Sequence, residues 1–207
     1  METKNYLQDI HEIRNMMSRS TQFLSLSGLS GVMAGIYALV GAYIGHGLLE
    51  KHQVQRSEVY VTLESGTFSK MVLVALSVLA LSVLTAFVLT YFKASKQNEK
   101  IWNSSSRRLA VNFLIPFITG GIFSILLLKN GIYGLLAPVM LIFYGLACVN
   151  ASKYTFRDVR YLGITVVVLG LIATEFTDFG VEFWAMGFGV CHIIYGAIMH
   201  FKYDRKS

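Results

Sequence analysis

Five ionisable residues lie in or beside long apolar runs, and they are where this chain could do chemistry: His46, Glu175, Asp178, Glu182 and His192. Burying a charge at the centre of a bilayer costs at least about 2.5–3.5 kcal/mol, so ionisable groups at such places point to function. His192 lies deepest, about ten residues into its run, with Cys191 beside it. His46 stands about a turn from the far end of the first run. Glu175, Asp178 and Glu182 follow at steps of three and four residues. They share one face if a helix runs that far, and otherwise they cluster in a short connection. In one reading the acidic trio forms a cation-attracting mouth. His46 and His192 then lead inward as proton or ion relays, because neutral imidazole accepts a proton near physiological pH. In the plainer reading Glu175 snorkels to the surface, Asp178 and Glu182 are solvated, and His192 hydrogen-bonds a neighbouring helix.

Other chemistries find less support. No H-x₃-H or H-E-x-x-H spacing is present, so no metal is expected. His192 and His200 are eight residues apart. On one helix that is about 80° out of line and about 12 Å along the axis, too far for one metal to bind both. His46 and His192 differ in expected depth by roughly 8–10 Å, which argues against a bis-histidine haem. There is no G-x-S-x-G, Walker loop or dinucleotide fingerprint, and cysteines buried in apolar spans, as expected for Cys148 and Cys191, are usually inert. No cofactor and no catalytic residue is expected.

The elements that position these groups follow from composition. Of 207 residues, 54% are hydrophobic and 14% charged, with mean hydropathy +0.54. A soluble domain carries about 25% charged residues, so an ordinary cytosolic enzyme, a coiled coil and a disordered chain are excluded. Two cysteines and two prolines exclude a disulfide scaffold and a Pro-rich linker protein. A bilayer core takes about 20 apolar helical residues to cross. Six segments qualify: 23–49, 71–92, 109–128, 132–150, 161–176 and 183–201. The fifth is the shortest and reaches full length only by continuing past Glu175 towards Phe179. The expected fold is therefore all-α, a polytopic six-transmembrane-helix bundle, with one membrane domain at 23–201 and a tail at 202–207.

Only Lys51, Arg56, Lys70 and Lys129 of the 18 Lys and Arg fall on one side of this arrangement, and the other 14 fall on the other. By the positive-inside rule both termini are then cytoplasmic and the membrane is the plasma (inner) membrane. The net charge of +6 is a topology signal with attraction to anionic lipid headgroups, and nucleic acid is not an expected partner. No cleavable signal peptide is expected, since the first 22 residues are polar and the first span lacks an A-x-A exit. Within that N-terminal segment (1–22), Tyr6, Ile10, Ile13 and Met17 recur at helical spacing. They predict an amphipathic helix on the inner surface, either a gate or docking surface or a plain lead-in to the first span.

Packing is also legible. The first span repeats small residues every four positions: Ser27, Gly31 and Gly35 on one row, and Ser30, Ala34, Ala38 and Ala42 on another, with His46 next on that row. Lipid offers no hydrophobic drive between helices, so close backbone approach at small residues supplies the contact. Gly31, Gly35, Ala38 and Ala42 should place this span at the bundle centre or at a dimer interface. The second span is Leu- and Val-rich and should face lipid. Pro116 and Pro138 are each expected to kink a span, either lining a substrate path or as a static packing feature. LIFYG at 141–145 echoes HIIYG at 192–196.

The segments HEIRNMMSRSTQFLSLSGLSGVMAGIYALVGAY and FWAMGFGVCHIIYGAIMHFKY resemble those of uncharacterised six-span inner-membrane proteins of bacteria. The resemblance implies a six-span fold and carries no activity, cofactor or site residue. Two functional expectations follow from the whole reading. The first is a non-catalytic multi-pass protein acting through a membrane-protein partner or as a homo-oligomer. The second is a small proton- or cation-coupled transporter with a polar path through the outer half of the bundle.

Overall fold

The computed structural model describes residues 23, 26–51, 56–57, 60–61, 65–96 and 101–204, so the expected amphipathic helix at 1–22 lies outside the described residues. Long helices occupy almost all of the rest: α1 (Gly28–Lys51), α2 (Ser65–Lys96), α3 (Ser104–Lys129), α4 (Leu136–Ala151) and α5 (Asp158–Glu175). A sixth rod is composite. It joins α6 (Gly180–Trp184), a π-helical stretch Ala185–Val190, α7 (Cys191–Met199) and a second π-helical stretch His200–Asp204. Two residue pairs, Arg56–Ser57 and Tyr60–Val61, form a minimal antiparallel ladder between α1 and α2.

Five of the six rods are long and apolar enough to cross a membrane. The exception is α5. Its 18 residues rise about 27 Å, close to a bilayer core, but they include Asp158, Arg160 and Glu175. The expected extension past Glu175 does not occur. Phe176 leaves the helix at φ −117°, ψ 57°, and a 3-10 turn, Thr177–Phe179, follows. The helix gains its length at the other end, starting at Asp158.

The elements start and stop for local reasons. Asn103 caps α3 by accepting from the Ser106 amide at 2.8 Å, and the Ser106 hydroxyl answers by accepting from the Asn103 amide at 2.9 Å. At its other end Gly131 takes φ 73°, which a side chain disfavours, and lets Ile132 and Gly131 donate back to Leu127 and Leu128. Pro138 is a correction to the expected kink. It lies in the first turn of α4, where amides have no intrahelical partner, so it interrupts nothing. Pro116 does lie inside α3.

The rods alternate in direction. One end of the bundle gathers the starts of α1, α3 and α5 with the ends of α2, α4 and the sixth rod; this is the basic end. α1 is flanked by α2 and the sixth rod, α4 by α3 and α5, and α5 meets the sixth rod. α2 and α3 are the flanks, each leaning chiefly on one neighbour. Their outward faces carry exposed Leu73, Leu84 and Phe87, and Ile115, Ile118 and Ile125.

Glycines make the closest contacts. A Cβ built on Gly35 would come within 2.6 Å of the Gly189 carbonyl, and one on Gly196 within 2.6 Å of the Gly28 carbonyl. Gly31 faces the Gly196 Cα. Gly145 and Gly163 make the same contact between α4 and α5, each against the other's carbonyl. Ala38 and Ala42 are buried in α1. The backbones therefore meet where side chains are missing.

Candidate functional site

His192, at the start of α7, is buried at 6% exposed. Its Nδ1 stands 2.9 Å from the Gly187 carbonyl, which can only accept, so Nδ1 carries the proton and donates. In the neutral ring Nε2 is then bare, and it accepts from the Tyr144 hydroxyl of α4 at 2.6 Å. Both nitrogens are satisfied by protein. The Gly187 carbonyl lies five residues back, within the π-helical stretch Ala185–Val190. Gly187 and Gly189 permit that turn's close fit, since side chains there would run into Leu141 and Leu39.

The surroundings are packed. The imidazole lies against Tyr144 at 5.2 Å and Phe188 at 6.0 Å, centroid to centroid. Leu141, Leu162 and Val166 form a buried cluster, with Tyr144, Phe188 and Tyr195 against it. The π-helical turn is the kind of helix defect that often marks a functional position.

His46 is elsewhere, near the opposite end. It lies between Glu50 and Glu182, with each of its nitrogens 3.6 Å from one carboxylate, and all three side chains are half-exposed or more. Glu175 and Asp178 are exposed too. Because the chain breaks at Phe176, the acidic trio sits around the short connection and shares no helix face. The structure thus brings Glu182 to His46 and gives His192 a different set of partners. Among the described residues no group of three or more His, Cys, Asp or Glu is placed to hold a metal.

At the basic end the structure assembles a cluster that the sequence reading missed. Asp204 accepts from Lys93 Nζ at 2.7 Å and from the Gly28 amide at 3.0 Å, with His200 Nδ1 at 3.2 Å. Lys93 also donates to the Leu26 carbonyl at 2.8 Å. Lys93 and Asp204 are only 13% and 12% exposed. Asp204 sits at the first turn of α1, where the helix dipole favours an anion. Nearby, Phe23 donates to the Tyr154 carbonyl, and the buried Thr155 hydroxyl donates to the Phe23 carbonyl at 2.9 Å. A charge of each sign at the ends of two spans that finish on the same side was the signal available, but single charges at span ends are common.

Pro116 found a partner as well. Proline lacks the amide that would bond to the carbonyl four residues earlier, that of Asn112. The Asn150 side chain of α4 donates to that carbonyl at 3.0 Å. The Asn112 side chain turns to its own helix, at the Arg108 carbonyl.

Set against known proteins, the chain matches no family model, no curated protein and no solved structure.

Proposed function

We propose that this is a six-span, non-catalytic protein of the plasma membrane, with both termini cytoplasmic, that acts by lateral association with a membrane-protein partner or with further copies of itself. The observation that carries the reading is the state of His192. Its two nitrogens are occupied by Tyr144 and Gly187 within a packed aromatic and aliphatic core, while the carboxylate facing His46 from the sixth rod is Glu182. The flanking position of α2 and α3, with apolar faces turned outward, supports association as the mode of action. The basic end supports the assigned topology.

The test has two parts. Single cysteines replacing Leu84 on α2 and Ile118 on α3 should cross-link to another chain in native membranes, and the absence of any cross-link at both faces would reject association. In proteoliposomes the chain should show no pH-driven cation flux.

The transporter remains the second reading, favoured by one observation: the π-helical turn beside a midplane histidine. If it is right, flux appears and His192→Ala abolishes it.

A further inference from the structure

We infer that the basic end of α3, together with the α4–α5 turn, is a binding site for an anionic phospholipid whose headgroup carries two phosphates. Three elements bring cations to one place. Arg107 and Arg108 stand in the first turns of α3, Lys153 in the 3-10 turn Ser152–Tyr154, and Arg157 and Arg160 at the start of α5. The first of these elements packs against the second and the second against the third, which brings the three basic segments to one end of the bundle. All five are exposed.

Among the described residues their surroundings are poor in anions. From residue 101 to residue 174 the sequence holds a single acid, Asp158. That carboxylate is already engaged by Lys202 at 2.9 Å. Among the described residues, Arg107, Arg108, Lys153, Arg157 and Arg160 make no ion pair. Five cations with no ion-pair partner among the described residues favour a counter-anion, and topology alone asks only for basic residues at this end, not for their gathering around one turn.

The neighbouring surface specifies the rest of the ligand. Trp102 and Tyr161, 73% and 67% exposed, sit at the same level and suit the headgroup boundary. Along α3 the outward face continues as Val111, Leu114, Ile115 and Ile118, an apolar track for acyl chains running away from the cations. Two separate cation groups, one on α3 and one around the turn, fit two phosphates better than one. Arginine supplies the planar fork that phosphate oxygens accept. The site requires only that these helices stand in a bilayer, and so it is independent of the association reading.

The experiment uses the full chain in neutral detergent, titrated with cardiolipin, phosphatidylglycerol or phosphatidylcholine and read by native mass spectrometry and thermal midpoint. Cardiolipin should bind with defined stoichiometry and raise the midpoint, phosphatidylglycerol should do so more weakly, and phosphatidylcholine should not. Each cation removed should weaken binding by roughly fivefold. Arg107→Gln with Arg108→Gln, and separately Lys153→Gln with Arg157→Gln, should therefore each cost more than tenfold, while Lys129→Gln at the opposite end costs nothing. Inorganic phosphate at millimolar concentration should leave the lipid bound. Equal binding of all three lipids, an equal loss in the Lys129→Gln control, or full displacement by phosphate would overturn the assignment.

Discussion

The Asn150 amide completes the bond that Pro116 removes from α3, and this makes the two residues a coupled pair. Take Asn150→Leu, which keeps similar bulk and deletes the donor. With Pro116 in place, the Asn112 carbonyl loses the side-chain amide at 3.0 Å that stands in for the missing helical donor. A buried acceptor left unmet costs about 1–3 kcal/mol, and interhelical bonds in bilayers average roughly 0.6 with a maximum near 1.7. Asn112 is half-buried. A cost of about 1 kcal/mol follows, or roughly a fivefold shift in the folded-to-unfolded ratio. In a Pro116→Ala background the alanine amide can bond the same carbonyl within the helix. Asn150→Leu should then cost only a few tenths of a kcal/mol. The assay is reversible unfolding of all four variants in mixed micelles, and the readout is the coupling energy, about 1 kcal/mol. Additive effects would show that Asn150 does not serve the proline, whatever the single mutants do.

The glycine contacts give a sharp pair of outcomes. Gly196→Ala places a methyl 2.5 Å from the Val32 amide nitrogen and should cost about 1–3 kcal/mol of thermal stability in detergent. Gly45→Ala meets nothing within 4 Å and should be neutral or stabilise by up to about 1 kcal/mol. At the basic end, Asp204→Leu removes partners from Lys93, Gly28 and His200 together, whereas Lys93→Met leaves Asp204 with two of its three. Asp204→Leu should therefore lower the unfolding midpoint more, by about 1 kcal/mol, and equal losses would reject Asp204 as the hub.

The helices could be read from the sequence because they depend on a quantity that adds along the chain, apolar length. The packing role of α1 was also legible, since small residues at four-residue spacing leave few alternatives in lipid. The Tyr-Gly echo marked more than was read from it. Gly145 and Gly196 both lie against a neighbour's backbone, and Tyr144 turned out to be the partner of His192. The rest was not legible for a common reason. Pro138 makes no kink, because it falls in the first turn of α4, which periodicity does not locate. Of the two arrangements open to the acidic trio, the structure has the cluster around the short connection, since the helix ends at Phe176. Asn150 and Asp204 act on backbone groups of helices distant in sequence, and single-chain patterns do not register such pairings.

The two functional readings part at one seam. α1, α2 and the sixth rod form one set; α3, α4 and α5 form the other. At the basic end the sets are tied by Thr155 to Phe23, Lys202 to Asp158, and Phe156 against Tyr203 at 4.2 Å. Midway they are tied by Tyr144 to His192. Towards the opposite end the aromatic contact at the seam, Phe176 with Phe183, has centroids 6.3 Å apart and no hydrogen bond of its own. An opening is expected to start there and work down to His192, because the basic end is held by directional bonds. Spin labels on cysteines replacing Tyr43 in α1 and Ile172 in α5, both exposed, with Cys191→Ala to limit background labelling, report that end. A single narrow distance distribution, the same with Tyr144 in place and in Tyr144→Phe, fits a scaffold. A second, longer population that grows in Tyr144→Phe, where the seam loses its midway bond, would mean that the seam opens and that association is not the whole of what this protein does.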